Sequence, residues 1–365
     1  MDKFYLGFSI SAFQTEGYYD NQDWYYFIKN GKLPEIYNAN GLWENYDIVI
    51  PILKDLNSNA FRFSIDWARI YPEKDRIKYS NLQRYAVFTK KLIENGIEPF
   101  ITLWHYVNPI WFFNIGGWEF KENIEYFINF AETIINNFSK IGVKYFISFN
   151  EPWVYVISSY MMGIWPPFKK AESVGDIAKS LDVLNNIVEA NKEIYKITKE
   201  NNVYLIYIEN LSFIKLPFFS LYKDVIINNI RLIFPIETDF YGINYYGAYK
   251  KIDDVRTRNT IFSLSIIKNI LEVLDKPIFI TENGVNTEDE FLRVRTIKKY
   301  LSFFINNRKK YNINGYFIWT LFDNYEWEYG YNAKFGIMNR NFSKKDSYYE
   351  IKDLYHRLNK KLNVS

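Results

Sequence analysis

The chain contains no cysteine. That absence removes disulfides and thiolate metal sites and leaves a reducing compartment open. Histidine is scarce as well: His105 and His356 are the only two, so a metal site would have to be built mostly from carboxylates, and none is expected. No apolar run approaches the roughly 18 residues that span a bilayer. The opening MDKFYLGFSISAFQTEG is interrupted by Gln14 and Glu16 where the apolar segment of a leader would continue. A soluble, cytoplasmic protein with no membrane partner is the expectation. An excess of one charge is also missing, since 45 Lys and Arg stand against 42 Asp and Glu. No nucleic-acid partner is expected from that balance. Neither a GxGxxG nor a Walker loop appears, nor a Gly/Ser-rich linker or a short repeat. A nucleotide cofactor therefore has no visible site, no cofactor is expected, and residues 1–365 are read as one domain.

What the chain has in quantity is apolar and aromatic: 48% of it is hydrophobic and 20% is Phe, Trp or Tyr. Short runs of these residues recur at 5–13, 60–65, 98–104, 144–149, 203–208, 239–246, 276–281 and 315–322. Their near-continuous hydrophobicity suits parallel strands covered on both faces. Between them lie helical patterns at about 80–95, 176–200, 260–275, 287–310 and 347–360. A further one puts Phe127, Phe130, Ala131, Ile134 and Phe138 on one face. Eight strands alternating with helices predict an α/β fold of the (β/α)₈ barrel type. A doubly wound sheet is the competing architecture, and no nucleotide motif supports it.

Barrels of this kind carry their chemistry at the C-terminal strand ends. There the sequence places Gln14 and Glu16, Arg62 and Ser64, Trp104 and His105, and Asn150 and Glu151. Asn244 to Tyr246, Thr281 to Asn283, and Trp319 to Trp327 follow. Taken singly, each has a plain structural reading: a helix cap, an ion pair, a packed indole. Taken together they form a vocabulary for sugars, because amides and carboxylates hold hydroxyls while indoles cover C–H faces. Glu151 and Glu282, on the fourth and seventh strands, would face each other across the mouth. A separation of about 5–5.5 Å between two such carboxyls goes with retention of anomeric configuration. Pro152 is expected to hold Glu151 in extended geometry.

In order along the chain stand FQTEG (13–17), NQDWYYFI (21–28), LWENY (42–46), RFSIDWARIYP (62–72), TLWHYVNP (102–109) and FNEPW (149–153). They are followed by FYGINYY (240–246), ITENG (280–284) and WTLFDNYEWEYGYNAKFGI (319–337). With these motifs the sequence resembles the family 1 glycoside hydrolases, the retaining β-glycosidases that include β-glucosidases and β-galactosidases, and most closely their archaeal branch. The resemblance implies that Glu151 is the acid/base and Glu282 the nucleophile. It implies that Gln14, His105, Asn150, Glu326 and Trp327 line the sugar subsite, with Trp319 as its floor. Arg62 and the Tyr246 hydroxyl would contact Glu282 and keep it ionised, and its charge would keep Glu151 protonated until the glycosyl-enzyme forms. An acidic residue at position 326 implies unphosphorylated sugars. The partners implied are small β-glycosides or oligosaccharides, and the oligomeric state is left open.

Three departures stand out. Tyr106 follows His105 where relatives usually carry tryptophan. The connections at 167–202, 211–238 and 249–260 are compact, and GIWPPFKK (163–170) matches only loosely. A transglycosylase using the same intermediate is the alternative enzyme. A non-catalytic sugar-binding barrel is the alternative of another class, but such a protein would be expected to lose one of the two glutamates.

Overall fold

A computed structural model describes residues 3–214, 233–250, 254 and 258–362. The eight barrel strands are β1 (Tyr5–Ser9), β2 (Ala60–Ser64), β3 (Glu98–Trp104), β4 (Tyr145–Asn150), β5 (Tyr204–Asn210), β6 (Phe240–Asn244), β7 (Ile278–Asn283) and β8 (Ile313–Trp319). They close in the order β1-β8-β7-β6-β5-β4-β3-β2, and every pairing is parallel. All eight predicted runs thus became strands of one closed sheet, and the (β/α)₈ expectation holds.

Helices α1 (Val49–Asp55), α2 (Tyr79–Glu94), α3 (Ile124–Phe138), α4 (Val174–Glu200), α5 (Ser265–Leu271), α6 (Glu290–Asn306) and α7 (Asp346–Leu362) lie between or after them. In α3 the expected face of Phe127, Phe130, Ala131, Ile134 and Phe138 is buried. Helix α4 begins in a reciprocal cap, Ser173 accepting from the Asp176 N–H while Asp176 accepts from the Ser173 N–H. That cap starts a 27-residue helix inside the stretch read as a compact connection. The connections 211–238 and 249–260 lie largely outside the described residues. Of them, Phe213–Ile214 pairs with Ala248–Tyr249 as a small parallel ribbon.

The predicted runs overshoot at the mouth. The run at 5–13 is strand only to Ser9, and Ala12–Glu16 is a turn of helix whose first N–H is taken by Ser64 Oγ at 2.7 Å. The run at 315–322 likewise stops at Trp319. Apolar residues past these ends pack against neighbouring loops rather than extend the sheet, and hydrophobicity alone cannot separate the two uses.

The barrel interior is plugged below the site by Tyr5, Phe100, Tyr145, Ile206, Phe279 and Phe317 among others. Phe100 and Tyr145 stack at 4.5 Å with planes 2° apart. Gly7 makes room for this layer, because a Cβ there would stand 2.5 Å from the Phe317 ring. This dense plug sets the depth of the open mouth above it.

Candidate active site

Arg62 is the hub of the mouth. It sits on β2 with its side chain wholly buried, and its guanidinium reaches three other strands. Nε donates to Thr102 Oγ1 on β3 at 3.1 Å, and Nη2 donates to Asn150 Oδ1 on β4 at 2.6 Å. Nη1 donates to Glu282 Oε1 on β7 at 2.5 Å and to the Thr281 carbonyl at 3.3 Å. Buried arginine requires this many acceptors, because each unpaired N–H in the interior costs free energy.

Glu282 receives a second donor from the Tyr246 hydroxyl, 2.5 Å from Oε2. Both expected contacts to this carboxyl are therefore in place. Burial nevertheless pushes Glu282 up to about 7, with Arg62 opposing that rise and Glu151 adding to it. Arg62 and Tyr246 favour the carboxylate as expected, but desolvation by burial outweighs them. The Tyr246 hydroxyl is itself held well above the ordinary phenol range by burial and by Glu282, so it remains a donor.

Glu151 follows the last residue of β4 and precedes the short helix Pro152–Val156. Its backbone is left-handed, φ 46° and ψ 59°, so the extended geometry expected from Pro152 is not adopted. Proline disfavours the right-handed helical region for its predecessor, and Glu151 leaves that region for the left-handed one, which a non-glycine residue adopts only where its surroundings enforce it. Pro152 itself opens the helix, where its missing N–H is no loss. The turn sends the Glu151 N–H to the Ile208 carbonyl at 3.0 Å and its carboxyl into the mouth. There Asn244 donates to Oε1 at 2.6 Å, Asn210 donates to Oε1 at 3.1 Å, and the Tyr106 hydroxyl lies 2.5 Å from Oε2.

The two carboxyls are linked through amides. The Asn244 amide also donates to Asn150 Oδ1 at 3.1 Å, and Asn150 Oδ1 is the atom that Arg62 holds. Of the pair, only Glu282 bonds a cation, while Glu151 bonds neutral donors. The ion pair to Arg62 is thus the contact that sets the two carboxyls apart.

The other predicted residues gather around this pair. His105 lies 3.4 Å from the Asn150 amide, and its ring runs nearly parallel to Trp319 and Trp327, 14° and 15° away. Burial, with Arg62 nearby, holds the imidazole well below its usual range and therefore neutral. Trp319 donates from Nε1 to Glu326 Oε1 at 3.2 Å, which places the indole and that carboxyl side by side. Burial pushes Glu326 up to about 7. Gln14 spends its amide N–H groups inside the protein, on the Tyr325 carbonyl at 2.8 Å and on Asn324 at 3.4 Å. Its oxygen accepts from Ser11 at 2.7 Å. Glu16 belongs to a separate buried network with Arg69, Tyr46 and Tyr85.

Sequence reading missed three residues and the role of a fourth. Asn210 and Glu209 end β5 just beyond the apolar run at 203–208, so extending that run by one turn of the pleat would have found them. Asn244 was noted at its strand end, yet nothing in the sequence says that its amide serves Glu151. Arg258 lies 3.9 Å from Glu326 and 3.7 Å from Glu328, on a connection without any strand-end signal. Among the described residues no cluster of histidines and carboxylates is arranged to hold a metal ion. No described helix is long and apolar enough to cross a membrane.

Known proteins are similar to this chain in sequence and in fold. The β-glycosidase from Pyrococcus horikoshii superposes with a TM-score of 0.84 at 25% identity, covering 96% of this chain and 93% of that one. Beta-glucosidase A from Acetivibrio thermocellus is 28% identical over 96% of this chain and 97% of its own length. The galactolipid galactosyltransferase SFR2 of Arabidopsis thaliana is 27% identical over 81% of this chain. The chain spans only 54% of that plant protein's length. Residues 1–218 and 259–360 match glycosyl hydrolase family 1, and the chain belongs to that family.

Proposed function

We propose that the protein is a retaining β-glycosidase that hydrolyses β-glucosides or β-galactosides of unphosphorylated sugars by double displacement. The observation that carries this reading is the unequal setting of two neighbouring buried carboxyls. Glu282 is held by Arg62 and Tyr246, and Glu151 by Asn244, Asn210 and Tyr106. The first suits a nucleophile, the second a proton carrier.

In the first step a Glu282 oxygen bonds the anomeric carbon as the glycosidic C–O bond breaks. The leaving oxygen takes the bond's electron pair and the proton of Glu151. Arg62 and Tyr246 hold the Glu282 side chain in line for attack. With Glu282 esterified its charge is gone, and Glu151 takes a proton from the water that attacks the same carbon. The C–O bond to Glu282 then breaks and the carboxylate returns to Arg62. Trp319 covers the sugar ring, while His105, Asn150, Gln14, Glu326 and Trp327 border its hydroxyls.

Glu326 supports an unphosphorylated sugar, since a carboxylate repels phosphate. A panel of aryl β-glycosides, with and without a 6-phosphate, tests this together with the anomer first formed, followed by NMR. The expected result is a β-product and faster turnover of the plain sugars. An α-product would refute double displacement. Preference for the phosphorylated forms would make Arg258 a phosphate counter-ion instead. Glu282→Gly should abolish turnover, and Glu151→Ala should slow poor leaving groups far more than activated ones. The similarity to a galactosyltransferase supports a second reading, transfer of the sugar to an acceptor in place of water. Product analysis with added acceptor sugar separates the two.

A further inference from the structure

Tyr106 has no part in the steps above, yet its hydroxyl is 2.5 Å from Glu151 Oε2. The other oxygen of that carboxyl is already committed. Asn244 and Asn210 both direct amide N–H groups at Oε1, at 2.6 and 3.1 Å. An amide nitrogen donates and never accepts, so Oε1 cannot turn an acidic hydrogen toward either of them. That hydrogen belongs on Oε2. Of the two lone-pair directions there, one takes the phenol hydrogen and the other remains for the hydrogen that goes to the leaving group.

Tyr106 is also held firmly enough to define a direction. Its backbone is left-handed, φ 71°, which a bulky side chain adopts only where its surroundings enforce it. Its carbonyl accepts from Trp24 Nε1 at 3.2 Å. Its ring is wedged against Trp165 and Trp327, with centroids 4.9 and 5.1 Å away. Burial and the neighbouring Glu151 hold its hydroxyl well above the ordinary phenol range, so it stays neutral.

We propose that Tyr106 is a positioning residue for the acid/base step, fixing the acidic hydrogen on Glu151 Oε2 and sharing the charge left on that oxygen once the hydrogen has gone. The inference rests on Glu151 being the acid. In the first step the Oε2–H bond breaks and its proton joins the glycosidic oxygen, while the phenol keeps its own proton. In the second step water returns a proton to Oε2. The other titratable groups facing Glu151 are Tyr246, Tyr249, Glu209 and Glu282, with Arg258 facing Tyr106. Arg258 and Glu282 also interact with the phenol, so the acidic limb is followed beside the alkaline one.

The test is Tyr106→Phe, read as the pH profile of kcat/KM with phenyl and dinitrophenyl β-glycosides. Loss of a donor to the ionised carboxyl should move the alkaline limb upward by about one to two pH units, with KM near that of the unchanged protein. The shift should be plain with phenyl leaving groups and weak with dinitrophenyl, which needs little protonation. An unmoved alkaline limb with a raised KM would overturn the proposal and leave Tyr106 as a wall. Should the Phe variant not fold, Tyr106→Met removes the same hydroxyl and fills much of the same apolar space without adding a donor, and its limb must move the same way. Failure of the underlying reading is distinguishable. If Glu151→Ala slows both leaving groups equally, the acid assignment falls and the Tyr106 role falls with it.

Discussion

Replacing Arg62 by methionine removes the guanidinium and keeps most of the stem. Four acceptors lose a donor at once: Glu282, Asn150, Thr102 and the Thr281 carbonyl. Breaking a buried ion pair from one side costs about 3–5 kcal/mol, and the orphaned carboxylate recovers part of that by taking up a proton. Glu282 already stands at about 7 with Arg62 beside it. A hydrogen bond to a charged group contributes about 1.5–3 kcal/mol, and one pH unit corresponds to about 1.36 kcal/mol. Glu282 should therefore rise by a further one to two pH units or so. A nucleophile must be ionised, so the acidic limb of kcat/KM should climb by the same amount. At pH 6 the rate should fall about tenfold to a hundredfold from ionisation alone. The assay is kcat/KM against pH on an activated aryl β-glycoside, beside a melting curve for each sample. Arg62→Lys, which keeps the charge but not the fork, should fall between the two. An acidic limb that stays put while the melting temperature drops would refute the reasoning and leave Arg62 a purely structural tie.

Two further outcomes are expected. Burial pushes Glu282, Glu16, Glu326 and Asp23 each up to about 7 in the folded chain, whereas they titrate near 4 when unfolded. The folded state then binds more protons within that window, so their contribution is complete below about pH 4 and is lost as pH climbs through about 7. Calorimetry from pH 4.5 to 8 should show the melting temperature falling with pH, and a steady rise would refute it. Gly7→Ala forces a Cβ to within 2.5 Å of the Phe317 ring, below the site rather than in it. Denaturant unfolding should show a loss of about 1–3 kcal/mol with kcat unchanged, and unaltered stability would mean that the aromatic plug yields easily.

The fold was legible because each strand is apolar on both faces, a pattern that needs no knowledge of partners. Glu151, Glu282 and His105 were legible for a related reason, each breaking an apolar run where a strand should end, and Arg62 because it puts a charge inside such a run. What stayed hidden depends on direction. The left-handed turn at Glu151 decides which donors its carboxyl meets, and no spacing rule encodes that. Asn210 lay just beyond the run that marked its strand. Arg258 reaches the site from a connection whose sequence resembles any polar loop, so only the folded path brings it to Glu326.

The guanidinium of Arg62 joins β2 to β3, β4 and β7, so the inner part of the site hangs from the closed sheet itself. The outer wall has another origin: Trp165, which donates to Glu328 at 2.5 Å, and Arg258 both come from connections between strands. Inheritance can treat these two parts separately. Connections can lengthen, shrink or exchange sequence and so reshape that outer wall without disturbing the ties between strands. A barrel built this way has a fixed frame behind an editable doorway.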